Sequence, residues 1–224
     1  MKGDSRVSVR EKFDDELQDL QEKMISLVQF TDRALTKAME AFQTHNIDVA
    51  LKVMEEDTTA NILYEEINDF AILLIAKQQP VAIDLRRIMV AIKIATDLER
   101  MADFAVNIAK SSIRIGQEPH IKETSKLKKM YEISSVMLKE AIKAFEEEDL
   151  HLAKKVSEMD DEVDSLYGEV IKELFDLNNQ KENYDQFVQM LFICRYLERY
   201  ADHITNITEY TFYMVKGKHY DLNE

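Results

Sequence analysis

Turn-forming residues are scarce in this sequence, which has 4 glycines and 2 prolines among 224 residues. Average usage would give about 16 glycines and about 11 prolines in a chain of this length. A β-sandwich or barrel of many strands needs a turn about every 8–12 residues. The shortage therefore excludes those folds, while an apolar content of 46% is ample for a packed core.

Cysteine and long apolar runs are also nearly absent. Cys194 is the only cysteine, so no intramolecular disulfide can form. The longest apolar run, at 70–76, is far shorter than the roughly 20 residues that cross a bilayer. The N-terminal segment lacks the apolar stretch of a signal peptide. We therefore expect a cytoplasmic protein without direct membrane insertion.

Basic residues are outnumbered, with 29 Lys and Arg against 43 Asp and Glu, a net charge of −14. A protein that binds nucleic acid needs a basic surface to contact the negatively charged phosphates. The sequence shows none, so we expect no nucleic-acid partner. Cations and basic protein surfaces are the partners that an acidic chain favours.

Apolar residues recur at helical spacing along almost the whole chain. Phe13, Leu17, Leu20, Met24 and Leu27 begin one such stripe, and a 4-3-4-3 rhythm indicates one buried face of an α-helix. A polar loop is predicted at 178–181. The spacing predicts an all-α fold of six long helices, over about 13–44, 47–78, 80–116, 126–147, 149–177 and 184–216.

The two halves of the sequence are similar. Residues 38–64 align without gaps with 141–167 at an offset of 103. Residues 97–108 align with 196–207 at an offset of 99, sharing the pattern L-E-R-x-A-D-x-x-x-N-I. A unit of about 100 residues is too long for a solenoid repeat. The duplication predicts two tandem, similar three-helix bundles, at 8–116 and 121–217.

Acidic residues form rows at four-residue spacing on two predicted helices of each half. The rows are Asp57, Asn61 and Glu65 with Glu99, Asp103 and Asn107, and then Asp160 and Asp164 with Glu198, Asp202 and Asn206. Carboxylates that converge repel each other unless protons or a cation neutralise them. Oxygen ligands suit cations such as Mg, Mn, Ca or Fe.

Two simpler interpretations of the rows stay open. An acidic row beside an apolar stripe is usually a solvated helix face, and the chain would then be a helical scaffold. Arg100 and Arg199 follow the two glutamates and could pair with carboxylates on neighbouring helices. A third alternative is a carboxylate-bridged, metal-dependent enzyme, although no nucleophile–base arrangement can be assigned.

Four strings carry a family resemblance. They are P-V-A-I-D-L-R-R-I at 80–88, D-L-E-R-M-A-D at 97–103, D-D-E-V-D at 160–164 and Y-L-E-R-Y-A-D at 196–202. Through them the chain resembles the PhoU family of phosphate transport system regulatory proteins, over about residues 10–215. The resemblance implies a cytoplasmic, often dimeric, six-helix protein that is not an enzyme. It also implies repression of phosphate uptake and of the phosphate-starvation response, as an adaptor between the ATPase subunit of a phosphate ABC transporter and a sensor histidine kinase.

The resemblance further implies cation sites built from paired E/D-x-x-x-D motifs, loaded with Fe, Mn, Mg or Zn and without an organic cofactor. The implied ligands are Asp57, Glu99 and Asp103 in the first half and Asp160, Asp164, Glu198 and Asp202 in the second, with Asn107 and Asn206 as possible additions. Asn61 replaces an acid of the family pattern, so the first site should bind cations more weakly. The D-L-R element implies partner binding by Asp84, Arg86 and Arg87.

Overall fold

The computed structural model describes residues 4–177, 183–220 and 222, and side chains are described from residue 10 onward. Seven α-helices, α1 to α7 in chain order, make up nearly all of this part of the chain. Their bounds are Asp4–Thr44, Ile47–Glu55, Asp57–Gln78, Ala82–Ile115, Ser125–Glu147, Leu150–Leu177 and Tyr184–Lys216. The predicted loop at 178–181 lies outside the described residues. Within the described ranges, no helix is both long and apolar enough to cross a membrane.

The second predicted helix is divided in two at Glu56. This residue ends α2 and precedes α3, with φ −81° and ψ −1°. Lys37 of α1 donates to both Glu56 carboxylate oxygens at 2.9 Å, which fixes the junction against the neighbouring helix. No glycine or proline marks the break. Its consequence is that Asp57 becomes the first residue of α3, where the helix dipole favours a carboxylate.

The helices form two bundles, α1–α4 and α5–α7, as the duplication predicted. The most extensive packing in the molecule is between α4 and α7, one helix from each bundle. These two helices run antiparallel, since Arg86 near the start of α4 donates to the carbonyl of Met214 near the end of α7. Further along, the rings of Phe104 and Tyr196 stack with centroids 6.0 Å apart. One continuous apolar core therefore runs through both bundles.

Corresponding positions of the two halves meet at the contact between the bundles. Ser135 Oγ donates to Asp32 Oδ1 at 2.9 Å, and these residues are related by the offset of 103. The rings of Phe104 and His203, related by the offset of 99, lie 5.5 Å apart. Residues that correspond and also touch must lie near a two-fold axis. The duplicated halves are therefore related by an approximate two-fold rotation.

Two residues between the end of α3 and the first turn of α4 have a positive φ, one in the connection and one at the start of α4. Gln79 has φ 46° and Ala82 has φ 44°, and neither is glycine. Glycine adopts this conformation without a steric penalty, whereas residues with a Cβ are disfavoured there. The connection therefore stores backbone strain at an exposed position.

We expect Gln79→Gly to raise the free energy of unfolding by about 0.5–1 kcal/mol, because it relieves this strain. Chemical denaturation followed by circular dichroism measures the change. Gln29→Gly, at an exposed position inside α1, is the matched control and should lower stability by about 1 kcal/mol. A loss of stability in both variants would contradict the assignment of strain to Gln79.

Candidate cation sites

The second-half site consists of Asp160 and Asp164 on α6 and Glu198 and Asp202 on α7. Each pair is four residues apart, so both members lie on one side of their helix, and α6 packs against α7. Burial raises the pKa of all four carboxyls, and repulsion from other acidic side chains raises each further. The fold thus brings the four predicted residues into one electrostatically coupled cluster.

Asp160 is the most strongly perturbed member of this site. Its side chain is buried, and burial raises its pKa to about 7. Thr205 Oγ1 donates to Asp160 Oδ2 at 3.1 Å, which opposes the rise. The charges of Asp164, Asp202 and Glu198 add to it. Asp160 is therefore close to half-protonated at neutral pH in the absence of a cation.

Two carboxylate oxygens of the site are buried without a hydrogen-bond partner. These atoms are Asp160 Oδ1 and Glu198 Oε2. A buried polar atom without a partner costs about 1–3 kcal/mol, and more when it is charged. A hard cation accepts such oxygens as ligands, so the donor set and its unpartnered atoms fit an ion of the Mg, Mn or Fe type.

Arg195 is a member of this region that the sequence patterns did not single out. Its guanidinium pairs with Glu198 Oε1 and lies over the ring of Tyr167. Its charge lowers the pKa of Asp164, Glu198 and Asp202 against the effect of burial. The signal available in the sequence was that Arg195 lies three residues before Glu198, a spacing that makes the two side chains neighbours on a helix. At the offset of 99 the first half has Thr96 instead, so this cation belongs to the second half alone.

The first-half site brings together Asp57 of α3 with Glu99 and Asp103 of α4. Burial raises the pKa of Glu99 and Asp103, and the charge of Asp57 raises both further. Arg100 lies 3.5 Å from Glu99 and 3.6 Å from Asp103, so it pairs with its own row. Asn61 is exposed. This cluster has three carboxylates and a flanking arginine, and it is less buried than the second.

The two asparagines of the rows differ in their surroundings. Asn206 donates from its amide nitrogen to Asp97 Oδ1 at 3.3 Å, across the contact between α4 and α7. Asn107 is half-buried on α4, and no side-chain hydrogen bond to it is among those described. Asn206 therefore lies at the interface between the two bundles.

Asp97 is the centre of a polar cluster that the sequence analysis did not single out. It is buried, and its Oδ1 lies 2.5 Å from Nδ1 of His203. Burial raises the pKa of Tyr210, and the nearby Asp97 raises it further. At the symmetry-related position, Phe104 and Tyr196 stack instead. The interface is therefore polar on one side of the approximate two-fold axis and aromatic on the other, which no pattern within a single helix reveals.

The residues of the D-L-R element make internal contacts. Asp84 is buried and accepts from Arg10 at 2.8 Å, and Arg87 lies 3.5 Å from its other oxygen. Arg87 also pairs with Glu148 at 2.6 Å. Arg86 donates to the carbonyl of Met214 at 3.2 Å. These three side chains join the ends of α1, α4, α5 and α7, and partner binding by them stays a prediction.

The carboxylates of both sites interact electrostatically, but their positions in this structure do not form a metal-coordination geometry. Throughout the part of the chain that the structure describes, no three His, Cys, Asp or Glu side chains are arranged to hold a metal ion. The case for the second-half site therefore rests on its donor set, its burial and its two unpartnered oxygens.

Comparison with known proteins identifies the family to which this chain belongs. The model of the PhoU domain matches this chain twice, over residues 12–112 and 127–211. The chain belongs to the PhoU family. Each half of the internal duplication is thus one PhoU domain, and the two acidic sites described above lie one in each domain.

Individual PhoU relatives match over nearly their whole length. A phosphate-specific transport system accessory protein PhoU homolog of Clostridium acetobutylicum is 36% identical over 217 residues, covering 96% of this chain and 99% of the relative. The corresponding PhoU homolog of Aquifex aeolicus is also 36% identical, covering 93% of this chain and 96% of the relative.

Solved structures confirm the PhoU fold. The crystal structure of the phosphate transport system regulatory protein PhoU from Streptococcus pneumoniae matches with a TM-score of 0.88 at 28% identity, covering 93% of this chain and 99% of that one. The crystal structure of PhoU from Pseudomonas aeruginosa matches with the same TM-score at 27% identity, covering 92% of this chain and 100% of that one.

The raised pKa of Asp160 gives a pH-dependent effect on stability in cation-free protein. The unfolded carboxyl ionises near pH 4 and the folded one near pH 7, so ionisation destabilises the fold increasingly between these values and fully above them. We expect Asp160→Asn to raise the free energy of unfolding by about 1–3 kcal/mol at pH 8, with the gain shrinking to zero near pH 4.

Urea denaturation between pH 4.5 and 8.5, in the presence of a chelator, measures this dependence. Asp161→Asn removes the same charge at the next, exposed position of α6 and serves as the control. A gain of equal size and equal pH dependence in both variants would show that net charge, rather than the burial of Asp160, is responsible.

Proposed function

We propose that this protein is a cytoplasmic, dimeric regulator of phosphate transport that represses uptake and the phosphate-starvation response when phosphate is plentiful. It acts as an adaptor between the ATPase subunit of a phosphate ABC transporter and a sensor histidine kinase. The observation that carries this proposal is the PhoU domain match in both halves of the chain. The names of the relatives, accessory and regulatory proteins of phosphate transport, support a role that is not enzymatic.

Cation binding at the acidic sites is the second part of the proposal. Asp160, Asp164, Glu198 and Asp202 would hold the ion in the second half, and Asp57, Glu99 and Asp103 in the first. A bound cation would supply positive charge. This charge would either neutralise the carboxylates and so stabilise the bundle, or attract a phosphate anion. The second site has four carboxylates, of which Asp160 and Glu198 are buried, and this favours tighter binding there than in the first site with its three.

The chain's own side chains restrict how such an ion is held. Thr205 keeps one oxygen of Asp160 engaged, which leaves Oδ1 as the free ligand atom. Arg195 occupies one oxygen of Glu198 and leaves Oε2 free. Arg195 also balances part of the negative charge of Asp164, Glu198 and Asp202.

We expect the parent protein, incubated separately with Fe²⁺, Mn²⁺, Mg²⁺ and Zn²⁺ and then desalted, to retain at least one ion per chain in elemental analysis. Replacing Asp160 and Asp164 by Asn, Glu198 by Gln and Asp202 by Asn should abolish the tightest binding, because it removes the charged ligands and keeps their shape. At a cation concentration of 100 times its Kd, the parent should gain about 2.7 kcal/mol of stability that this variant lacks.

A control variant carries the same change of charge on exposed acids of α6. Its substitutions are Glu158→Gln, Glu162→Gln, Glu169→Gln and Asp176→Asn. It should retain the ion. Equal retention by all three proteins, or retention by none, would remove the cation sites from the proposal and leave the regulatory role to be judged separately.

The regulatory role is tested in the cells that encode the protein. Deletion of its gene should switch on a phosphate-starvation reporter in phosphate-rich medium, and the parent gene supplied on a plasmid should restore repression. Co-purification of the transporter's ATPase subunit with the tagged parent protein tests the adaptor role directly. A reporter that stays repressed after deletion would contradict the proposed function.

A further inference from the structure

Two histidine rings pack together where the connection between the two bundles meets the end of α1. His45 follows the last residue of α1, and His120 lies in the connection between α4 and α5. Their ring centroids are 4.1 Å apart, and the ring planes are tilted by 34°. The two residues are far apart in the sequence, so only the fold brings them together.

Each of the two rings uses one nitrogen to bond a backbone carbonyl. His45 Nδ1 lies 3.3 Å from the carbonyl oxygen of Gly116, and His120 Nε2 lies 3.0 Å from that of Phe42. A carbonyl oxygen only accepts hydrogen bonds, so these two ring nitrogens carry the protons. The other nitrogen of each neutral ring then has a free lone pair, which is Nε2 in His45 and Nδ1 in His120.

The free nitrogen of His120 is buried. Its Nδ1 is shielded from water and has no hydrogen-bond partner among the described residues, which is unfavourable for a polar atom. Burial lowers the pKa of His120, and the neighbouring His45 lowers it further, against the effect of the bond to Phe42. The ring is therefore mostly neutral at neutral pH, and neutral imidazole is the form that binds a metal ion.

Both the backbone and the ring of His120 are held in place. Gln186 of α7 donates to the carbonyl of Pro119 at 3.1 Å and accepts from the N–H of Ile121 at 2.6 Å. These bonds fix the chain on each side of the histidine. The ring itself packs against that of Phe42, with centroids 4.4 Å apart. A side chain that is already held in one orientation loses little conformational freedom when it binds a ligand.

His45 adopts a backbone conformation that favours glycine. Its φ is 54°, in the left-handed region, and glycine or asparagine is the usual residue at this position after a helix. The corresponding residue of the second half, Glu148, has the same φ and uses its side chain to pair with Arg87. A strained position that keeps a long polar side chain in both halves indicates that the side chain itself has a role.

We propose that His45 and His120 form a binding site for a divalent transition metal ion, held by His45 Nε2 and His120 Nδ1. A metal ion lies about 2.0–2.1 Å from an imidazole nitrogen, so two nitrogens of one site are at most about 4 Å apart. Rings with centroids 4.1 Å apart can meet this requirement. Both N–H groups already donate to backbone carbonyls, which is how metal-binding histidines are commonly oriented.

The remaining coordination positions would be filled by water. In the part of the chain that the structure describes, no set of three His, Cys, Asp or Glu is arranged around a metal ion, so the pair has no third protein ligand of these types. His45 is only half-buried, which leaves the pair in contact with solvent. Imidazole nitrogen suits Cu²⁺, Ni²⁺ and Zn²⁺, whereas carboxylate oxygen suits Mg²⁺ and Mn²⁺. The site therefore differs in chemistry from the acidic sites and does not depend on the proposed regulatory function.

Electron paramagnetic resonance of the full chain with one equivalent of Cu²⁺ tests the site, because nitrogen ligands split the copper signal and carboxylate oxygens do not. The protein is first stripped with a chelator and then given excess Mg²⁺ to occupy its oxygen sites. We expect the parent spectrum to show splitting from two imidazole nitrogens. Titration calorimetry with Ni²⁺ under the same conditions measures the affinity.

Two single variants remove one ligand each and disturb the fold as little as the chemistry allows. His45→Asn introduces a residue that tolerates the left-handed region, and His120→Gln keeps an amide donor for the carbonyl of Phe42. Each variant should lose the two-nitrogen signal and bind Ni²⁺ at least about tenfold more weakly, because loss of a ligand costs no less than loss of an orienting partner. Circular dichroism confirms that each variant folds.

The matched control is His151→Asn with His219→Gln, which removes two exposed histidines outside the pair. It should give the parent spectrum and the parent affinity. A parent spectrum without nitrogen splitting would overturn the proposal, and that measurement needs no variant. Undiminished binding by both single variants, or equal weakening in the control, would also overturn it, because the ion would then be held by other groups of the chain.

Discussion

The antiparallel packing of α4 against α7 is the constraint on which the rest of the structure depends. It joins the two bundles into one core and fixes the spacing of both acidic sites. Each site is built from one of these central helices and one outer helix, α3 in the first half and α6 in the second. Glu99 and Glu198 lie near the middle of α4 and α7, at similar levels along the antiparallel pair. Neither site can therefore shift without disturbing the shared core.

Duplication gave both halves the same framework, and single substitutions then made the two sites different. Thr205 corresponds to Val106, so only Asp160 has a hydroxyl to hold it in place. Arg195 corresponds to Thr96, so only the second site has an arginine at this position. The chain is continuous in α6, whereas the break at Glu56 leaves Asp57 at a helix start. Two carboxylates of the second site, Asp160 and Glu198, are buried, whereas the three of the first site are half-buried.

Sequence patterns predicted the parts of this structure that depend on one helix at a time. The helical stripes, the duplication and the four-residue spacing of Asp160 with Asp164 all depend on local periodicity. The pairing of Glu56 with Lys37 and the contact of Asp97 with His203 depend instead on how different helices pack together. Family resemblance supplied the functional expectation, because four-residue spacing alone also fits a solvated face.

The same burial that disfavours the charge on Asp160 determines how a cation would compete for it. With a pKa of about 7, this carboxyl is about half-protonated at neutral pH when no other charge neutralises it. A cation must displace that proton, so its apparent affinity rises with pH until ionisation is complete. Burial also strengthens the attraction once the proton has left, because water screens the charge less. Cation binding at the second site would therefore be coupled to proton release, and at the more exposed first site it would be coupled less.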